Sequence, residues 1–152
     1  MRTPLSTTYD KAEDSPGLLL WQVSNKWQAR QRAALKPFNL THVQFVLLAS
    51  LTYAHGHRRF TQKQLAEHAQ TDVMMTSEVL RTLEGKGLVV RKPLETDRRA
   101  FILEPTPKGI SLVNQAVGAV EAVDRDFFGG FEKDELIRYM SSMRAMLDQR
   151  YE

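Results

Sequence analysis

One predicted helix carries polar and flexible side chains along a single face. They recur at i, i+3, i+4 and i+7, and they are Met74, Ser77, Glu78 and Arg81. An α-helix places residues at this spacing on one face. Each of these side chains can contact DNA. The guanidinium of Arg81 can bind phosphate or guanine, and the carboxylate of Glu78 can accept a hydrogen bond from cytosine. The hydroxyl of Ser77 can reach a phosphate or a base edge, and Met74 can contact the methyl group of thymine. Core packing is the alternative for Met74, and for the neighbouring Met75 it is the preferred interpretation.

A second group of charged residues, Asp97, Arg98 and Arg99, ends a polar, turn-forming segment. An arginine on a thin hairpin can reach the negative potential of the minor groove. The i, i+2 spacing on one side of a turn predicts that Asp97 holds Arg99 in a fixed orientation. The competing interpretation is an exposed salt bridge, worth roughly 0–1 kcal/mol.

A helix-turn-helix is predicted to position the first group. Its first helix spans residues 61–68, and Thr61 is a suitable N-cap because its hydroxyl can accept from a free backbone N–H of the first turn. The free N–H groups at this end of the helix can bind a phosphate. The predicted DNA contacts therefore include Thr61, Gln62 and Lys63.

The second helix of the motif spans residues 72–85 and is the predicted recognition helix. Asp72 caps it, and Thr71, just before it, is expected to touch the DNA backbone. Its inward stripe consists of Val79, Leu80 and Leu83. Gly85 and Gly87 then supply the stop signal.

A basic hairpin, or wing, is predicted after the recognition helix. The β-rich runs are residues 88–92 and 100–103, with a polar turn at 93–99. Arg91 and Lys92 are expected to add phosphate contacts from the first strand. Phe60 is expected to add a very short strand against the hairpin.

The remaining helices are predicted at residues 17–36, 42–55, 108–128 and 132–150, with Thr41 and Thr106 as N-caps. The first and the last two are long and amphipathic, with more apolar surface than the winged lobe at 41–106 can cover. This predicts a two-fold homodimer joined through 17–36 and 108–150, with half-sites about 34–36 Å apart on DNA. The alternative is a monomer that folds its ends onto its own core.

The bulk composition fits a single domain over residues 1–152, and 42% hydrophobic residues suffice for a core of ordinary size. The chain contains no cysteine, which excludes disulfides, thiolate metal sites and thiol-based oxidant sensing. It has neither a run of about 18 apolar residues nor the apolar stretch of a signal peptide. We therefore expect an intracellular protein without membrane contact.

Positive charge is concentrated in the winged segment. Residues 58–108 hold ten Lys/Arg and seven Asp/Glu, and this excess equals the formal net charge of +3 for the whole chain. A locally basic patch suits a polyanion. The alternative is a solvated surface with chance clustering.

The four histidines raise the question of a metal site, and they are His42, His55, His57 and His68. His55 and His57 are two residues apart, a spacing that chelates only in an extended segment, and no acid lies beside them. A surface turn and no metal are predicted. Ser/His/Asp, Cys/His and paired-carboxylate arrangements lack supporting context, and no glycine-rich phosphate loop occurs. No catalytic residue and no cofactor are therefore predicted.

Several segments, taken in order, resemble the MarR family of bacterial transcription regulators over residues 18–150. They are residues 40–45, 61–68, 83–91, 97–99 and 103–109. The run Leu-Glu-Gly-Lys-Gly-Leu followed by Asp-Arg-Arg at this spacing is the most specific. The resemblance implies a mostly α fold with a small β hairpin, that is, a winged helix-turn-helix with N- and C-terminal dimerisation helices. It also implies a homodimer on a pseudo-palindromic operator in the bacterial cytoplasm, with Arg98 or Arg99 in the minor groove.

The resemblance further implies release from DNA by a small ligand. The predicted pocket lies where the dimer helices meet the DNA-binding lobe, near Trp21, Trp27, His42 and Tyr53. A small aromatic or amphipathic acid is the expected effector, and core packing of these aromatic side chains is the alternative.

Two departures from the family pattern bear on the site. Glu78 stands where members commonly carry a basic residue, and its charge repels phosphate although it can accept from cytosine. Residues 103–106 replace the usual leucine-threonine pair, so the sequence places the end of the hairpin only to within one or two residues. The predicted function is a dimeric DNA-binding regulator, a repressor released by a ligand. The alternative is a winged-helix module for protein–protein contact without an operator.

Overall fold

The computed structural model describes residues Thr3–Tyr151, except the side chains of Arg98, Gln149, Arg150 and Tyr151. The helices are α1 (Pro16–Leu35), α2 (His42–Ala54), α3 (Gln62–Ala69), α4 (Val73–Gly85), α5 (Pro107–Phe127) and α6 (Lys133–Tyr151). The strands are β1 (Phe60–Thr61), β2 (Val89–Leu94) and β3 (Asp97–Pro105). Single 3₁₀ turns at Ala12–Asp14 and Lys36–Phe38 flank α1. The predicted helices and the winged helix-turn-helix fold are confirmed.

Side-chain caps explain where the helices begin. Thr41 and Thr61 each form a capping box with the glutamine three residues later, Gln44 and Gln64. In each box the threonine hydroxyl and the glutamine carbonyl accept N–H groups that the helix itself leaves unpaired. Thr106 caps α5 by accepting from the N–H of the third helical residue, with proline at the first helical position.

The three strands form one antiparallel sheet in the order β1-β3-β2. Phe60 pairs with Leu103, which confirms the predicted short strand. The hairpin is longer than predicted, because pairing continues to Leu94 opposite Asp97 and only Glu95 and Thr96 remain as the turn. Pro93 did not stop β2, since β2 lies at the sheet edge and a bulge follows the proline.

The core lies between α2 and the winged elements that surround it. Its buried side chains come from every part of the motif, and they include Leu47, Leu48, Leu65, Leu80, Leu83, Leu88 and Leu103. Val79 packs against this cluster while half-buried. The predicted inward stripe of the recognition helix is therefore confirmed.

The start of α5 is locked onto the hairpin. The Thr106 hydroxyl donates to the Gly87 carbonyl at 2.6 Å, and the Lys108 ammonium donates to the Lys86 carbonyl at 2.9 Å. Gly109 packs so closely that a Cβ atom there would overlap the carbonyl oxygen of Leu88. This contact fixes where the long helix leaves the winged lobe.

The last helix behaves differently from the rest. Leu136 is half-buried, and every other described side chain of α6 is exposed. The exposed apolar side chains of α6 are Ile137, Tyr139, Met140, Met143, Met146 and Leu147. In the described part of the chain, no helix combines the length and the apolar character that a membrane crossing requires.

Candidate nucleic-acid interface

The outward face of α4 carries the predicted stripe. Met74, Glu78 and Arg81 are exposed and Ser77 is half-buried, while Leu80 on the opposite face is fully buried. Four side chains with different chemistry thus lie in one row on a helix whose other side is held by the core. A row of this kind can present donors, an acceptor and an apolar group to base edges in a major groove.

The first turn of α4 is held by a polar network that sequence reasoning only half identified. Asp72 caps the helix as predicted, and one carboxylate oxygen accepts from the N–H groups of Met74 and Met75 at 2.9 and 3.0 Å. The Thr76 hydroxyl lies 2.6 Å from that of Thr71 and donates to the Asp72 carbonyl at 2.7 Å. Thr71, predicted to touch DNA, therefore already has a partner inside the protein.

One assignment in this turn changes. Thr76 is fully buried, and Met75, for which core packing was the preferred interpretation, is 40% exposed. The prediction for Met75 is wrong because the smaller threonine occupies the inward position of the turn. A hydrophobicity pattern does not predict that Thr76 is buried, because it treats threonine as polar. Here the Thr76 hydroxyl forms hydrogen bonds with Thr71 and with the Asp72 carbonyl, so its burial leaves no polar atom unpaired.

The start of α3 lies beside the wing. Lys63 is exposed, and Thr61 and Gln62 are half-buried. The Gln62 side-chain oxygen accepts from Arg91 Nη2 at 3.2 Å, and Arg91 Nε donates to Glu84 at 2.9 Å. The wing strand, the recognition helix and α3 are thereby joined through one guanidinium.

This network gives Arg91 partners inside the protein, and the phosphate contact expected for it stays a prediction. Both ends of its guanidinium bind groups of the protein, and the Arg91 and Glu84 side chains are only 31% and 27% exposed. Sequence reasoning placed Arg91 against phosphate because a basic residue on a wing strand suggests DNA. The fold also brings Glu84 and Gln62 to it from two other elements, which sequence reasoning did not predict.

The wing tip carries Asp97 and two arginines. Arg99 is exposed, whereas the side chain of Arg98 lies outside the described residues. The Asp97 carboxylate accepts from the backbone N–H of Arg99 at 2.9 Å. Asp97 thus contacts Arg99 through the backbone N–H of Arg99. That Asp97 holds Arg99 in a fixed orientation on DNA stays a prediction.

Lys92 forms a short ion pair on the sheet. Its ammonium lies 2.7 Å from a carboxylate oxygen of Glu104, a diagonal neighbour on β3. The hydrogen bond from Lys92 lowers the pKa of Glu104, against an opposing effect of burial, and the positive charges of Lys92, His55 and Arg59 lower it further. Lys92 remains exposed, but part of its charge is compensated within the protein.

A second polar cluster lies where α1, α2 and α5 meet. Asp124 accepts from the Trp27 indole N–H at 2.7 Å and from the Gln31 amide at 2.9 Å, while the Trp27 ring lies 5.0 Å from the ring of His42. Burial and the positive charge of Arg32 lower the pKa of His42, and the negative charge of Asp124 partly opposes them.

Gln31 is the member of this cluster that sequence reasoning missed. The residue is fully buried, and its Oε1 atom accepts from no group within the described residues. Its amide nitrogen also donates to the Val120 carbonyl at 3.3 Å. A glutamine in a helix predicted to be amphipathic gave no signal of burial, because glutamine usually lies at the surface.

The four aromatic residues of the predicted ligand pocket do not all converge. Trp27 and His42 are in contact, but Trp21 lies on the exposed side of α1. Tyr53 is 90% exposed and lies near the other end of α2 from His42, roughly 16 Å along the helix axis.

The other histidines do not assemble a metal site in the part of the chain that the structure describes, where no three His, Asp or Glu side chains converge suitably. His55 and His57 lie in the turn after α2, next to Arg58, Arg59 and Glu104, around a cavity of about 230 Å³.

Comparison with known proteins agrees with this geometry. A family model described as MarR family matches residues 40–101. An uncharacterised HTH-type transcriptional regulator of Bacillus subtilis, YdcH, is 45% identical over 135 residues, which cover 88% of this chain and 90% of that protein. An HTH-type transcriptional repressor of Mycobacterium tuberculosis is 33% identical over 114 residues, which cover 74% of this chain and 80% of the repressor.

Solved structures share the fold at lower sequence identity. The structure of Bordetella bronchiseptica BpsR, from work on regulation of its DNA binding by 6-hydroxynicotinic acid, superposes with a TM-score of 0.80 at 23% identity. The superposition covers 93% of this chain and 99% of BpsR.

Proposed function

Because the chain belongs to the MarR family of HTH-type transcriptional regulators, we propose that it is a dimeric repressor released from a pseudo-palindromic operator by a small ligand. The observation that carries this proposal is the stripe on α4. Met74, Glu78 and Arg81 are exposed in one row with half-buried Ser77, and the core holds the opposite face of the helix. A rigid helix with a mixed outer face fits the major groove of DNA.

The remaining contacts follow from the elements around α4. The capping box of α3 uses the N–H groups of Thr61 and Gln64, so those of Gln62 and Lys63 are available to a phosphate. Lys63, Lys92 and Arg81 supply positive charge, and Arg98 or Arg99 enters the minor groove. Thr71 contributes only indirectly, through its bond to Thr76.

The dimer is supported by apolar surface that the described protomer leaves uncovered. On α6 this surface comprises Met140, Met143 and Leu147, each about half-exposed, and on α1 it includes Leu20 and Trp21. Two copies related by a two-fold axis would cover both surfaces at once. The monomer alternative predicted that the chain ends fold onto their own core, and the exposure of α6 argues against it.

The effector site is proposed at the cluster around Trp27. The DNA binding of BpsR is regulated by 6-hydroxynicotinic acid. We place the aromatic ring of such a ligand beside Trp27 and His42, whose rings are in contact. The Oε1 atom of Gln31 has spare acceptor capacity for a ligand O–H or N–H, and Arg32 supplies a cation for a carboxylate. A ligand that binds the DNA-free arrangement more tightly shifts the population away from DNA.

Members of this family are transcription regulators, and we expect no catalytic turnover and no cofactor for this chain. We also place its action in the bacterial cytoplasm, on the nucleoid.

The first experiment selects DNA from a random pool with the purified protein and measures affinity across a salt series. An enriched pseudo-palindrome and a linear fall of log affinity with log salt are expected, since phosphate contacts release counterions. No enrichment, with weak binding even at low salt and after removal of small ligands by refolding, would contradict the proposal.

The wing arginines separate the proposal from a winged-helix module that contacts only proteins. Arg99→Ala should weaken operator binding and reduce the salt slope by about one for each lost phosphate contact. Arg138→Ala is the matched control, because it removes the same charge from an exposed position on α6. If Arg99→Ala binds DNA as the wild type does, Arg99 is not the arginine that enters the minor groove. If the double variant Arg98→Ala/Arg99→Ala also binds as the wild type does, the wing has no role at an operator.

Effector binding has its own test. Titration of the protein–operator complex with 6-hydroxynicotinic acid and other small aromatic acids should release DNA with one of them. Gln31→Leu should raise the effector concentration needed, because it removes the spare acceptor, while operator affinity without ligand stays unchanged. Equal sensitivity of the variant and the wild type would exclude this site.

A further inference from the structure

Three consecutive apolar side chains at the start of α4 are exposed. Val73 is 55% exposed, Met74 is 76% exposed and Met75 is 40% exposed, although the same helix buries Leu80 and Leu83 completely. We call Val73, Met74 and Met75 the methionine turn. Large apolar side chains grouped at one exposed site indicate a surface that acquires a partner.

The methionine turn is held rigidly. The Asp72 carboxylate accepts from the N–H groups of Met74 and Met75, and Thr76 ties the same turn to Thr71 and to the Asp72 carbonyl. The acidic side chain is thereby occupied as a cap. The turn thus presents apolar groups from a fixed backbone, which reduces the entropy lost on binding.

The position of Met74 identifies the partner. Met74 leads the stripe formed with Ser77, Glu78 and Arg81 at i+3, i+4 and i+7, so all four face the same ligand. Val73 borders the stripe on the side of Ser77, and Met75 borders it on the side of Glu78. A ligand that meets a guanidinium, a carboxylate and a hydroxyl in one row also meets the methionine.

The major groove offers one apolar group to such a row, the 5-methyl group of thymine. A protein partner is the other candidate for exposed apolar residues. Stable protein interfaces use roughly 20–30 residues a side, whereas the methionine turn is a single turn flanked by charged positions. The observations therefore favour DNA over a protein.

We propose that Met74 reads the 5-methyl group of a thymine in each operator half-site, with Val73 and Met75 as flanking contacts; this inference rests on the proposed function. Met74 thus specifies thymine by van der Waals contact with its methyl group, which is buried in the complex. The thymine lies next to the base that Ser77 and Glu78 contact. The specificity comes from a methyl group, which uracil lacks, with all hydrogen-bonding groups of the base retained.

The test replaces each thymine of the selected operator, one at a time, by deoxyuridine. Loss of one buried methyl group should weaken binding about fourfold at one position in each half-site. Met74→Ala should weaken binding to the thymine operator and should not distinguish thymine from uracil at that position. Met74→Leu should retain the discrimination, because it keeps an apolar side chain of similar reach.

Leu5→Ala is the matched control, because Leu5 is 72% exposed and lies far along the chain from α4. This variant should discriminate thymine from uracil as the wild type does. Binding that ignores every uracil substitution would overturn the inference and leave the proposed function intact. Unchanged operator affinity in Met74→Ala would also overturn it and would favour a protein partner for the turn. Failure to bind any DNA would overturn the proposed function and this inference together.

Discussion

The winged lobe, residues 41–106, and the last helix cover their apolar side chains in opposite ways. In the lobe, Leu47, Leu80 and Leu83 are fully buried by elements of the same chain. In α6, Met140 and Leu147 remain about half-exposed. The lobe therefore carries its own stabilisation, whereas α6 depends on a second surface. Its contribution to stability must change with protein concentration.

The exposed apolar groups of the two regions also differ in extent. The apolar face of α6 runs along most of a 19-residue helix, whereas the methionine turn of α4 covers one turn beside charged residues. A long continuous stripe fits another helix, and a short patch in a polar row fits a methyl group in a groove. The extent of the exposed apolar surface thus favours a protein partner for α6 and a nucleic-acid partner for α4.

The largest expected effect on stability is that of a substitution in the core of the winged lobe. Leu83→Ala leaves a cavity among fully buried side chains, so we expect a loss of about 2–5 kcal/mol in unfolding free energy. Denaturant unfolding measures it. Leu147→Ala on α6 is the contrasting variant, and its effect should depend on protein concentration. Equal and concentration-independent effects of both variants would show that the two regions do not differ in this way.

The junction between the lobe and α5 gives the next largest effect. Gly109→Ala places a methyl group against the Leu88 carbonyl and within 3.2 Å of Leu48, so we expect a loss of about 1–3 kcal/mol. Gly118→Ala in the same helix meets nothing within 4 Å and should stabilise by about 0.5–1 kcal/mol. Thermal unfolding of both variants measures the difference. A neutral Gly109→Ala would mean that α5 can shift away from the hairpin.

A charge placed on the apolar face of α6 tests whether this face is the dimer interface. Met143→Glu should raise the dimer dissociation constant about tenfold or more, since an isolated carboxylate is costly to bury. Ala145→Glu adds the same charge at an exposed position on the opposite face of the helix and is the control. Analytical ultracentrifugation across a dilution series measures both. If the two variants dissociate alike, this face of α6 is not the interface.

The smallest expected effect concerns pH and His42, at the contact of α1 with the winged lobe. Because the folded-state pKa of His42 is lowered from 6.5, the unfolded chain binds more protons as the pH falls below that value. Stability is therefore lost on acidification through this range. In His42→Gln the loss should be smaller, which unfolding curves measured above and below pH 6.5 would test. Equal pH dependence in both proteins would exclude His42 as its source.

Local patterns in the sequence were sufficient to predict the secondary-structure elements and the type of site. Thr41, Thr61, Asp72 and Thr106 cap helices at the predicted positions, because a cap bonds within three residues of itself along the chain. The outward stripe of α4 was likewise predictable, since helical spacing alone puts Met74 and Arg81 on one face.

The tertiary structure alone decided which partners these side chains meet. Arg91 binds Gln62, which lies 29 residues away along the chain, and Gln31 binds Asp124, which lies 93 residues away. The exposed Met75 and the buried Thr76 were likewise assigned only once the core was packed. Contacts of this kind depend on how the helices pack against one another. Propensity and periodicity act within a few residues and do not contain that information.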